Sequence, residues 1–232
     1  MKVQKFGSAS IATVDKIKEV ADIVVKDNGN IVVLSSMRGT AEALTEISDY
    51  LYKKNQEGAI EIINGLEKQY VELVDSLFEN EESKKLAHEL LTSKFDYIRT
   101  FTKDLFTLFE ERVVLAQGEL ISSELFHLYL LDKKVNAVLI PALEFMRTDK
   151  NSTPDPVYIK EKLSALLEES KGADLYITQG YICKNAYGEI DDLRKGGSDF
   201  SASLIGVAAN AEEIEIWADV DTMQNNDRSE ER

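Results

Sequence analysis

Residues 194–211 read RKGGSDFSASLIGVAANA. Gly196 and Gly197 precede a serine and an aspartate, and Ala202, Leu204, Ile205, Ala208 and Ala209 follow at helical spacing. Glycine permits positive φ and close approach of a ligand to the backbone. Ser198 or Asp199 is suited to cap the helix. A capped helix start offers unpaired N–H groups and a partial positive charge, which suits a phosphate or a carboxylate. A plain glycine turn with a capping serine fits the same residues. A second candidate is Lys5, inside the first apolar run and just before Phe6 and Gly7. Its ammonium either faces a phosphate or snorkels to solvent.

Elements able to position these residues are legible along the chain. KVQKF reads as a short strand and GSAS as a loop. A helix follows with Val14, Ile17, Val20, Ala21 and Val24 at helical spacing and Thr13 as its cap. IVVLS is a β-branched run of the buried-strand kind. This β-loop-α-β start calls for a right-handed crossover between parallel strands. Residues 40–132 hold no proline and few glycines. They read as several helices, with apolar groups such as Leu105, Leu108, Phe109 and Val113, and with ENEESKK as a solvated connection. VNAVLIP returns as a strand, and the next helix has Asp155 as cap and Pro156 in its first turn. DLYITQGYI reads as one strand, KNAYGEIDDL as a hairpin turn with a second strand after it, and EIEIWADVD as the last strand. The expected fold is α/β, a doubly wound sheet with a helical excursion. Its ligand loops lie at the carboxyl ends of the strands: 7–10, 35–40, 179–182, 195–199 and 218–221.

Bulk properties narrow the function. The 232 residues suffice for one large domain or two small ones, and 44% apolar with 30% charged residues is ordinary for a globular protein. A net charge of −15 argues against nucleic acid or an anionic membrane as the main partner. The single cysteine, Cys183, excludes a disulfide framework within the chain. His88 and His127 sit in helical stretches and read as surface or packing residues, so no metal centre is expected. No apolar run approaches the ~20 residues of a membrane span, and MKVQKFGSAS lacks the apolar core of a signal peptide. A cytoplasmic enzyme or binding protein is expected.

The segments KFGSAS, VVLSSMRGT, QGELIS, RTD, ITQGYI, KGGSDFSASL and EIWADVD occur in the order and spacing of aspartokinase motifs. Over nearly its whole length the chain resembles the catalytic domain of aspartate kinases, within the amino-acid-kinase family. The resemblance implies an αβα sandwich with a mainly parallel central sheet. An aspartate-side lobe would span about 1–170 and a nucleotide-side lobe about 171–232. It implies ATP and Mg2+, L-aspartate as acceptor, phosphorylation of its β-carboxylate toward lysine, threonine and methionine, and a homo-oligomer such as a dimer. By the same resemblance Lys5 neutralises the transferring phosphoryl group, and Asp199 orients Lys5. Glu119 binds the substrate ammonium. Ser35, Gly39, Ala41, Lys195 and Ser198 lie around aspartate. Gly7 and Ser8 approach the phosphates, and Asp219 and Gln224 belong to the nucleotide segment.

The chain departs from the family pattern within these motifs. Ser8 and Ala9 stand where a glycine and a threonine are usual, Ala41 and Glu42 where a threonine and an asparagine are. Lys195 replaces an arginine, keeping charge without the bidentate fork, while Arg194 beside it replaces a glycine. Ala218, Thr222, Arg228 and Ser229 also differ from the pattern. Catalytic domains of the family continue past this point, so an incomplete nucleotide side and impaired activity are expected. Two other readings stand beside an aspartate kinase: an inactive aspartokinase-like binding or oligomerisation domain, and a kinase for another amino acid such as glutamate. QGELIS and RTD favour aspartate over the last.

Overall fold

The computed structural model describes residues 1–103, 105–194 and 197–218. Among the described residues five parallel strands form the central sheet: β1 (Lys2–Phe6), β2 (Asn30–Leu34), β3 (Ala137–Leu139), β4 (Leu175–Gln179) and β7 (Glu213–Trp217), ordered β3-β4-β2-β1-β7. The short strands β5 (Ile182–Lys184) and β6 (Ile190–Asp192) pair antiparallel beside it. β2 and β4 are buried along their whole length, which is why IVVL of β2 reads as an unbroken apolar run, while β4 buries Thr178 and Gln179 as well. The sheet takes strands from both sides of residue 170.

Side-chain alternation assigns the two faces. Phe6, Val32, Leu34, Leu175 and Ile177 face α1 (Val14–Val24), α2 (Thr40–Tyr52), α3 (Gln56–Leu77), α4 (Glu81–Thr100) and much of α5 (Leu108–Asp132). Val3, Ile31, Val33 and Tyr176 face the other layer, α6 (Ala142–Phe145), α7 (Pro156–Glu169) and α8 (Gly197–Ala208). The connection leaving β1 passes through α1 on one face, while β7, its other neighbour, is reached through α8 on the opposite face. The carboxyl end of β1 is therefore a topological switch point, where open α/β sheets form their ligand crevice.

Local chemistry explains the element boundaries. Thr13 accepts the N–H of Lys16 at 3.3 Å, and Asp155 accepts that of Tyr158 at 3.1 Å ahead of Pro156, as the sequence indicates. Three expectations are corrected. ENEESKK is the start of α4: Asn80 accepts the N–H groups of Glu82 and Ser83 at 2.9 and 3.1 Å, and two glutamates favour the first turn. DLYITQGYI is two strands, because the chain turns at Gly180–Tyr181, where Tyr181 has φ 66°. Of the apolar group read as helical, Leu108, Phe109 and Val113 lie on α5, but Leu105 precedes it, since the helix begins only after its capping residue Thr107.

Candidate functional site

Lys5 lies two residues after Val3 on the same face of β1, the face covered by α8. Val3 approaches Gly206 near the end of that helix, so Lys5 reaches its start. Its Nζ meets Asp199 Oδ1 at 2.7 Å. The Lys5 side chain is 11% exposed and that of Asp199 54%, so the pair looks out of the protein into an open cleft. Gly7–Ser10, Ser35 and Gly197–Asp199 line this cleft with Lys5.

Each neighbour is set by its own element. Ser35 follows β2 and donates from its hydroxyl to Ser198 Oγ at 2.8 Å. Ser198 and Asp199 were expected as caps; both lie inside the first turn of α8, with their side chains directed to Ser35 and Lys5. Gly180, at the end of β4, admits this turn: a Cβ there would stand 2.6 Å from Ser198 Cβ and 2.7 Å from its Oγ. At Gly7 a Cβ would come within 3.3 Å of Lys5 Nζ. The Gly7 N–H was expected to approach phosphate, but it donates to Trp217 O at 3.4 Å. The short 3-10 turn Ser8–Ile11 also begins at this cleft, with Ser10 donating its N–H to Gly7 O at 3.0 Å.

Glu119, on α5, is 8% exposed. Burial pushes its carboxyl up to about 7, opposed only in part by hydrogen bonding with its own backbone and with the backbone and hydroxyl of Ser36. Gly118 brings α5 against the loop after β2, since a Cβ there would meet Ser36 Cβ at 2.9 Å. The same loop is tied down from below. Met37 donates its N–H to Ser122 Oγ at 2.9 Å, and the hydroxyls of Thr40 and Tyr70 are 2.9 Å apart. Gly39, at φ 84°, makes the turn into α2. The helical excursion thus fixes the loop that carries Ser35 and Ser36.

Not every candidate gathers here. Ala41 is exposed in the first turn of α2 and does not line the cleft. Lys195, Asp219 and Gln224 lie outside the described residues, as do Thr222, Arg228 and Ser229. Arg147 of the RTD segment is engaged with Asp155, at 2.5 Å, and lies over the Tyr158 ring. His88 meets Asp75 Oδ1 and His127 meets Ala137 O, each at 2.9 Å. Among the described residues no three His, Cys, Asp or Glu side chains come together to hold a metal ion, and no helix is long and apolar enough to cross a membrane. Sequence reasoning missed Ser36 and Tyr181 as neighbours of Glu119. Burial and the Asp192 carboxylate, with smaller contributions from Glu119 and Asp191, push the Tyr181 phenol up to about 12.

A crevice at the switch point with a lysine–aspartate pair at a helix mouth can hold an anion; Glu119 is not among the residues that line it and adjoins it through Ser36, next to Ser35. The amino acid kinase family model matches residues 1–232. Lysine-sensitive aspartokinase 3 of Escherichia coli is 31% identical over 94% of this chain and 49% of its own length; the aspartokinase of Chlamydia trachomatis is 30% identical over 94% and 48%. The chain therefore spans about half the length of these curated relatives. Among solved structures, E. coli aspartokinase III in complex with aspartate and ADP superposes with a TM-score of 0.81 at 26% identity, covering 95% of this chain and 49% of the other. Its complex with lysine and aspartate gives 0.82 at 27% identity, covering 95% and 49%. The expected α/β architecture with a mainly parallel sheet is the one these structures share. The chain belongs to the amino acid kinase family and within it is aspartokinase-like.

Proposed function

We propose that this chain carries the machinery of an aspartate kinase, transferring the γ-phosphoryl group of ATP to the β-carboxylate of L-aspartate. The observation that carries this reading is the Lys5–Asp199 pair at 2.7 Å, set at the carboxyl end of β1 and facing an open cleft. Phosphoryl transfer asks a protein for alignment and charge neutralisation rather than covalent chemistry. Lys5 supplies the cation for the transferring group, and Asp199 holds the ammonium in place. The start of the Ser8–Ile11 turn offers N–H groups to phosphate oxygens. Glu119 takes the substrate ammonium, and Ser35 with Ser198 presents hydroxyls toward its carboxylates. Mg2+ usually keeps several waters and binds through phosphates with one or two carboxylates. Asp199, the carboxylate that lines the cleft, would be the side chain to help hold it, and a bound Mg2+ would offset phosphate charge. Names of the relatives support the choice of acceptor: they are aspartokinases, and one was solved with aspartate and ADP. A coupled assay of ADP release, with L-aspartate and L-glutamate as alternative acceptors, tests it. Release that follows aspartate supports the proposal. Equal release with glutamate overturns the substrate, and aspartate binding without release favours the inactive aspartokinase-like reading.

A further inference from the structure

Asp191, on β6, is 4% exposed, and its Oδ2 lies 3.2 Å from Arg112 Nη1 on α5. Arg194 Nη2 approaches the same oxygen at 4.0 Å. A buried carboxylate is costly without a partner, so Arg112 fastens the β5–β6 hairpin to α5. From there a chain of hydrogen bonds leads to the start of α8. Asp191 Oδ1 accepts the N–H of Asp192 at 2.8 Å, and Asp192 Oδ1 accepts that of Arg194 at 2.7 Å. Leu193 donates its N–H to Tyr181 O at 3.0 Å, and Tyr181 donates its own to Ser201 Oγ on α8 at 2.7 Å. Arg194 and Tyr181 have φ of 54° and 66°, a left-handed conformation that side chains other than glycine adopt at a cost. Such strain persists only where the surroundings over-determine it.

The far end of this chain matters to the cleft. Arg112 and Glu119 are two helical turns apart and share one side of α5. The ion pair and the hydrogen bonds beyond it therefore connect the helix that carries Glu119 to α8, whose first turn carries Ser198 and Asp199. A buried ion pair often adds no net stability over a well-packed apolar pair, so the contribution to look for here is geometric. We infer that Arg112 and Asp191 are positioning residues, which lock the segment before α8 to α5 so that Ser198, Asp199 and Glu119 are held in register for the substrate. This inference rests on the proposed function for its substrate, but the locked segment can be measured without it.

The test uses Arg112→Met/Asp191→Asn, which removes both charges and leaves no orphaned ion, beside Arg112→Lys, which keeps the cation. Hydrogen exchange at the amides of Tyr181, Leu193 and Arg194 is read together with titration of L-aspartate. The double variant is expected to melt near the parent temperature, to exchange at least about 10-fold faster at those three amides, and to bind aspartate at least about 10-fold more weakly, a loss of about 1.4 kcal/mol. Arg112→Lys is expected to recover most of the affinity. Unchanged exchange in the folded double variant overturns the inference, and so does faster exchange with full aspartate affinity. A parent chain that binds no aspartate overturns the proposed function, and the exchange rates then decide the lock by themselves.

Discussion

Glu119→Gln should make this protein more stable at pH 8 and less able to bind aspartate. In the folded chain the Glu119 carboxyl loses its proton near 7, because burial disfavours the charged form and the hydrogen bonds from its own backbone and Ser36 offset this only in part. In the unfolded chain the same group ionises near the ordinary glutamate value of 4.5. Between those two values the folded state holds a proton that the unfolded state has released, so stability falls as pH rises through that window and the loss is complete above it. At 1.36 kcal/mol per pKa unit the difference amounts to roughly 3 kcal/mol. Glutamine has no proton to lose and still offers an acceptor to Ser36. For a chain of this size 1 kcal/mol moves the melting temperature by about 2–4 °C, so the variant should melt about 6–12 °C higher at pH 8. The advantage should shrink by about 2–3 kcal/mol on going to pH 5, where Glu119 is protonated in the fold. Binding runs the other way. An ammonium ligand needs the ionised carboxylate, present in about a tenth of molecules at pH 6 and nine-tenths at pH 8, so aspartate should bind about 10-fold more tightly at pH 8. Calorimetric melts of both proteins from pH 5 to pH 8, with aspartate titrations beside them, check this. A melting difference that is the same at pH 5 and pH 8 would refute the assignment.

Further perturbations target the supports of the cleft. Asp199→Asn leaves Lys5 without its charged partner and should cut turnover at least about 10-fold while melting changes little, because a half-exposed ion pair adds little to stability; unchanged turnover removes Asp199 from the account. Gly180→Ala drives a Cβ into Ser198, so the first turn of α8 must move; a loss of about 1–3 kcal/mol in denaturant unfolding is expected, and turnover should fall with it. Thr40→Val removes a hydroxyl partner from the fully buried Tyr70, leaving Ser122 at 3.4 Å, and should cost about 1–3 kcal/mol by the same measurement.

What the sequence discloses about this molecule is mostly local. The β-branched run in β2 and the caps Thr13 and Asp155 are read correctly because each is decided by neighbours a few residues away. ENEESKK is misread because charge density looks like solvent exposure, while Asn80 and two glutamates are also good helix-start chemistry. The turn at Gly180–Tyr181 is hidden because a tyrosine in the left-handed region is held there by distant partners, Ser201 and Leu193. Motif order names Lys5 and Asp199, but only strand alternation and the placement of α8 bring them to 2.7 Å. The Arg112–Asp191 pair has no local signature at all. Glu119 is visible as a motif residue, yet its raised pKa depends on burial, which no spacing reveals.

The central claim is phosphoryl transfer to the aspartate side chain under the charge of Lys5. An acyl phosphate formed this way reacts with hydroxylamine, so trapping the product as the β-hydroxamate measures the chemistry itself. With L-aspartate and Mg-ATP the parent chain should yield the hydroxamate, and a folded Lys5→Ala variant should yield none. No hydroxamate from a folded parent chain, or an equal yield from the variant, would contradict the account.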